Sequence, residues 1–120
     1  FIPISKKNSY DSDDTKLILN TDGSISQIGK KIDLELVDAE WMGVAIFKHG
    51  SYKIVKKHID KLIRIPNLLV EYPHYLSLIQ SLIDGGVKPT TKEFSQYLWA
   101  EIDYQFDLDS VRAQISRYIG

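Results

Sequence analysis

Glu101 and Asp103 are the residues in this chain whose type and spacing most readily suggest chemistry. They lie in Trp99-Ala100-Glu101-Ile102-Asp103, which reads as a strand and is followed by Tyr104-Gln105-Phe106-Asp107-Leu108 and an amphipathic segment. Residues two apart on a strand share a face, and open α/β sheets bind ligands at the C-terminal ends of their strands. Two hard carboxylate ligands there suit Mg²⁺, which usually takes one or two carboxylates and completes its shell with phosphate oxygens and water. Spacing alone favours a plainer alternative, in which Asp103 caps the following turn and Glu101 is solvated. The other titratable groups offer less. His49, His58 and His74 show no metal-ligand spacing and read as surface residues, with His58 solvated on a lysine-rich helix. Asp11, Asp13 and Asp14 read as solvated residues of a polar turn.

The elements that must position these groups come from a chain of 120 residues, the length of one domain. Hydrophobic residues make up 43% and charged residues 26%, as in ordinary globular domains. Fifteen basic residues oppose sixteen acidic ones, which gives no reason to expect a nucleic-acid partner reached through a broad cationic face. There is no cysteine, so disulfides and thiolate zinc sites are excluded; the same absence fits a reducing, cytoplasmic setting. No apolar run approaches the roughly 20 residues that span a bilayer, and no membrane partner is expected. The opening Phe1-Ile2-Pro3-Ile4 reads as a strand entered midway, as though the N-terminus had been trimmed.

Residues 1–5 form a short apolar strand, and 6–14 a turn-rich loop. Lys16–Asn20 and Ser24–Ile28 flank Asp22-Gly23, a hairpin signal. The apolar run closing residues 39–47 predicts a strand buried on both faces. Tyr52, Val55, Ile59, Leu62 and Ile63 recur at helical spacing opposite a set of lysines. A second helix is expected over 74–84, stopped by Gly85-Gly86. Residues 87–94 read as a short strand or turn followed by a helical turn, and 97–103 as a strand. A last helix is expected from about Asp107, with Asp107 or Asp109 as N-cap and Leu108, Val111, Ile115, Tyr118 and Ile119 turned inward. The alternation of strands and helices predicts an α/β fold, a mixed sheet flanked by helices.

Several of these segments together resemble the second half of a nucleotidyltransferase domain of the sugar-phosphate and phosphocholine type, including those of phosphonate biosynthesis. The residues that carry the resemblance are Lys16-Leu17, Asp22-Gly23-Ser24-Ile25, Ile28-Gly29-Lys30-Lys31, then Glu40-Trp41-Met42-Gly43-Val44-Ala45-Ile46-Phe47, and finally Trp99 with Glu101-Ile102-Asp103 and Asp107-Leu108. Such enzymes couple an NTP, often CTP, to a phosphorylated or phosphonylated small molecule and release pyrophosphate. The resemblance implies that residues 1–120 are the C-terminal portion of a Rossmann-like nucleotidyltransferase fold. It implies that Asp103, with Glu101 beside it, holds Mg²⁺; that Lys30 or Lys31 contacts the substrate phosphate; and that Glu40 and Gly43 line the substrate pocket. Trp41 is open to two readings, an aromatic wall for an ammonium group through cation–π contact or a half-buried packing residue.

The departures are as informative. The family opens with a Gly-rich GxGxR loop that cradles the triphosphate, and an earlier aspartate shares the metal; neither has a counterpart in these 120 residues. Phosphoryl-type transfer depends on cations and donors positioned around the reacting phosphate. The chain alone is therefore expected to be inactive. Alternative readings are a non-catalytic binding or dimerisation module of the same fold, and a sugar-phosphate-binding protein without transfer chemistry. Without the missing βα units, the strand at 40–47 would be left as an exposed edge, and oligomers pairing sheet edges are expected.

Overall fold

The computed structural model describes residues 1–65, 67 and 75–120. They form an α/β arrangement of five strands and three helices. The strands are β1 (Ile2–Ser5), β2 (Lys16–Leu19), β3 (Ile25–Gly29), β4 (Ala39–Trp41) and β5 (Thr91–Glu93). The helices are α1 (Tyr52–Arg64), α2 (Tyr75–Asp84) and α3 (Gln105–Ile119).

One mixed sheet runs in the order β3-β2-β4-β1-β5. All its ladders are antiparallel except β1–β5. β1 is buried along its whole length, as an interior strand should be. Pro3 is tolerated there because its missing N–H falls where β4 has ended: the Met42 N–H donates to the Pro3 carbonyl at 3.2 Å, and Trp41 is the last strand residue. The β2–β3 hairpin turns through Asn20–Ser24. Gly23 takes φ +78°, donates to the Asn20 carbonyl at 2.9 Å, and the Asp22 carboxylate accepts from the Ser24 N–H.

The core gathers Ile2, Ile4, Leu17, Ile25, Ile28, Ala39 and Trp41 from the sheet with Ile79 from α2. α2 packs on β3, where the Gln80 side-chain oxygen accepts the Ile28 N–H of the edge strand at 3.0 Å, and α1 packs on α2. α2 stops as its glycines predict: Gly86 sits at φ +87°, donating to the Ile83 carbonyl. Gly85 instead lies against α1, where any side chain would displace the His58 ring. A Cβ there would lie 2.5 Å from Nε2 of His58, which is half-buried on α1 with its Nδ1–H on the Ile54 carbonyl, not solvated as expected.

Several expectations are corrected. The strand expected over 39–47 is only three residues long and is interior, paired by β1 on one side and β2 on the other. Beyond it Val44, Ile46 and Phe47 are exposed, so that run does not form the exposed edge foreseen for assembly; the sheet edges are β3 and β5. The strand expected over 97–103 does not form. Among the described residues it has no neighbouring strand with which to ladder, and Tyr97, Leu98 and Ile102 are exposed. The last helix begins at Gln105, two residues before the Asp107 near which it was expected, but its expected inner face is open: Leu108 and Val111 are half-buried, while Ile115, Tyr118 and Ile119 are exposed. In α1 the expected span holds but the buried face is centred on Val55, His58 and Leu62, leaving Tyr52, Ile59 and Ile63 exposed. His74 lies outside the described residues.

Candidate functional site

Glu40 is the centre of the site. It is the middle residue of a three-residue strand, opposite Ser5 of β1 and Lys16 of β2, so its backbone is held from both sides. Its side chain is almost fully buried, at 6% exposure for the residue, yet it borders a cleft of ≈ 670 Å³. Two other parts of the chain form the walls. One is the loop after β1, with Lys6, Lys7 and Asp11–Asp14; the other is the irregular segment leading into α3, with Tyr97, Trp99, Glu101, Asp103 and Tyr104.

A buried carboxylate needs a partner. Glu40 finds it in Lys7, whose ammonium lies 2.9 Å from Glu40 Oε2 and 2.7 Å from Asp14 Oδ2. Lys7 also sits over the Tyr10 ring, 5.7 Å from its centroid. Asp14 is fixed in turn, because its carboxylate accepts the Asp11 N–H at 2.7 Å. Burial pushes the Glu40 carboxyl above the ordinary glutamate range; Lys7 works against this and the nearby Asp14 charge adds to it. Burial acts on Asp14 in the same sense and is the largest single influence, but the hydrogen bonds from Lys7 and the Asp11 N–H, with the Lys7 charge, together outweigh it and hold Asp14 below the usual range. Burial also opposes the Lys7 charge, and the two carboxylates more than offset it, so Lys7 is raised.

Beneath this trio lies Lys16, at 1% exposure. Its ammonium donates to the carbonyls of Ser12 (3.1 Å), Asp14 (3.2 Å) and Lys30 (2.7 Å). It thereby ties the loop wall of the cleft to the end of β3.

Glu40, Glu101 and Asp103 border one cleft, although β4 and the segment before α3 are far apart in sequence. Glu101 and Asp103 are exposed, and among the described residues no ion pair engages either carboxylate. Their backbone is irregular, so the shared strand face expected from their spacing does not arise. Among the described residues no group of three or more metal-ligand side chains converges. Two open carboxylates on a cleft wall nevertheless fit Mg²⁺, which dehydrates reluctantly and takes few protein ligands.

The remaining candidates lie elsewhere. Lys30 and Lys31 are exposed past the end of β3 and do not border the cleft. Gly43, at φ +78°, is exposed in the turn that leaves β4. Trp41 is part of the core at 4% exposure, and its indole N–H donates to the Val44 carbonyl at 2.8 Å. Trp99 borders the cleft instead. Asp107, foreseen as a helix cap, sits in the first turn, where its carboxylate accepts the N–H groups of Tyr104 (2.8 Å) and Asp103 (3.1 Å). A second hollow of ≈ 870 Å³ opens between residues 6–10, 19–21 and 34–38, and none of these motif residues lines it.

Lys7 and Asp14 are the residues that sequence reasoning missed. Asp14 looked like one of several turn acids; the signal that separates it is its place two residues before Lys16, the first residue of β2. No protein-family model, curated protein or solved structure matches this chain. Among the described residues no helix is long and apolar enough to cross a membrane.

Proposed function

We propose that this chain is part of a Mg²⁺-dependent nucleotidyltransferase with a Rossmann-like fold, acting in the cytoplasm. In this reading it joins an NTP, CTP by the resemblance, to a phosphorylated or phosphonylated small molecule. The observation that carries the reading is that Glu40, from one motif segment, and residues of a second, Trp99 to Asp107, line the wall of one cleft. Motifs that served only packing would have no reason to converge on an open site.

The electrostatics refine it. Asp11, Asp13, Asp14, Glu40, Glu101, Asp103 and Asp107 border the cleft against only Lys6 and Lys7. Such a wall attracts cations and repels a bare phosphate. The chain's contribution is thus the side that holds the metal and meets the acceptor, with Glu101 and Asp103 as its Mg²⁺ ligands. Bound there, Mg²⁺ would neutralise phosphate charge that this wall cannot. Lys30 and Lys31 would have to meet phosphate outside this cleft. A GxGxR cradle is not among the 120 residues, and the reading requires one from elsewhere in the protein.

The test is pyrophosphate release from CTP and Mg²⁺ with phosphocholine or 2-aminoethylphosphonate. The full-length protein should release it, Asp103→Asn should lower turnover by about 100-fold or more, and the 120-residue chain alone should release none. Wild-type turnover in the Asp103→Asn protein would end the metal assignment, and metal-dependent release by the chain alone would end the claim that it is inactive.

A second reading, an assembly module of the same fold, is favoured by one observation. α3 leaves Phe106, Ile115, Tyr118 and Ile119 exposed, the last at 81%. Isolated surface apolar residues are common, but Ile115, Tyr118 and Ile119 share one side of the helix and suit an oligomer contact. Sedimentation at micromolar concentration separates the two: a stable monomer would exclude it.

A further inference from the structure

Everything around the Glu40 carboxylate is fixed without a ligand. Its backbone is clamped between β1 and β2, its Oε2 is held by Lys7, and Lys7 is held by Asp14. Asp14 is anchored twice, through its carboxylate by the Asp11 N–H and through its carbonyl by the buried Lys16. We propose that Lys7 and Asp14 are positioning residues that fix the orientation and charge state of Glu40 for the molecule entering the cleft. The inference rests on the reading of that cleft as an acceptor site, where Glu40 would meet the acceptor.

The chemistry follows from burial. A carboxyl withdrawn from water tends to take up a proton, and it then changes from a pure acceptor into a donor. Lys7 opposes that change with an ammonium at hydrogen-bonding distance. Asp14 works in two directions. Its like charge favours the protonated Glu40, while its bond to Lys7 keeps the ammonium in place. Among the described residues no other cation takes this role: Lys16, opposite Glu40 on β2, is engaged by three carbonyls, and Lys6 pairs with Glu93 at 3.1 Å. The other charges on the cleft wall, Asp11, Asp13, Glu101, Asp103 and Asp107, are all negative and reinforce Asp14. Among the described residues Lys7 is thus the one cation that keeps Glu40 an acceptor.

The experiment is a carboxyl ¹³C NMR titration of Glu40 in the 120-residue chain, comparing wild type with Lys7→Met, Lys7→Arg and Asp14→Asn. Lys7→Met should move the Glu40 midpoint upward by about 1 pH unit, the usual effect of an opposite charge at this range. Asp14→Asn should move it downward, and Lys7→Arg should leave it near wild type. Shifts of the same sign in Lys7→Met and Asp14→Asn, or no shift in either, would overturn the proposal. Should Lys7→Met fail to fold, the Asp14→Asn direction and the Lys7→Arg rescue decide by themselves. In the full-length enzyme Lys7→Met should raise the acceptor KM about tenfold at neutral pH with a smaller change in kcat. Absence of transfer by the wild-type full-length protein would overturn the transferase reading instead, and the NMR result would still judge the positioning role.

Discussion

Lys16 and Glu40 lie directly opposite each other across β2 and β4, yet they do not form an ion pair. Lys16 gives its ammonium to three backbone carbonyls beneath the loop, and Glu40 pairs with Lys7 from above it. Opposite charges on facing positions of a sheet ordinarily meet. Here they are separated into two jobs, one lysine stapling the loop and the other answering the carboxylate.

The staple predicts a stability effect. Lys16→Met keeps much of the buried stem but removes the donor from three carbonyls. It should cost about 1–3 kcal/mol, the usual range for leaving buried polar groups unmet. Urea unfolding of the chain measures it. A loss confined to a few tenths would mean that water takes over all three carbonyls.

The trio predicts a pH dependence with opposite signs for its two acids. Asp14 is held below its ordinary value, so it stabilises the fold above its unfolded pKa, and this is lost as the pH falls through its folded pKa. Asp14→Asn should therefore be destabilised at neutral pH and converge on wild type in strong acid. Glu40 is held above its ordinary value, so its ionisation weakens the fold as the pH rises through its folded pKa. The stability difference between Glu40→Gln and wild type should move in favour of the variant from about pH 4 upward. Both effects should stay near 1 kcal/mol or less, because the Lys7 side chain is partly open to solvent and screened. Urea midpoints across the range check both signs; a difference that moves against Glu40→Gln as pH rises would contradict the burial argument.

At the start of α3, Asp107 satisfies two backbone donors at once, those of Asp103 and Tyr104. Asp107→Ala should cost the helix about 1 kcal/mol, as loss of an N-terminal capping partner does. Faster amide exchange in the first turn of α3, with β1–β5 unaffected, is the expected signature. Unchanged exchange there would show that the helix start is held by something other than Asp107.

The chain's sequence determined the parts of the fold that depend on neighbours along the chain. Asp22-Gly23 between β-prone runs specifies the hairpin because only a glycine readily takes the positive φ at that corner. The period of α2 and the Gly85-Gly86 that follows specify where that helix lies and ends. The α/β class follows from the same local signals. The site was legible only in part: Glu40, Glu101 and Asp103 could be singled out by motif, but not that they share a cleft. Tertiary structure alone decided the rest. Residues 97–103 carry a strand pattern, yet a strand exists only if another ladders with it, and no local signal reports that. The inner faces of α1 and α3 depend on what each helix packs against. Lys7 and Asp14 meet Glu40 because β1, β2 and β4 are adjacent in the sheet, which brings the loop between the first two strands over the third. Register between strands distant in sequence is a long-range property, and so are the burial that raises Glu40 and the ion pairing that outweighs burial at Lys7 and Asp14.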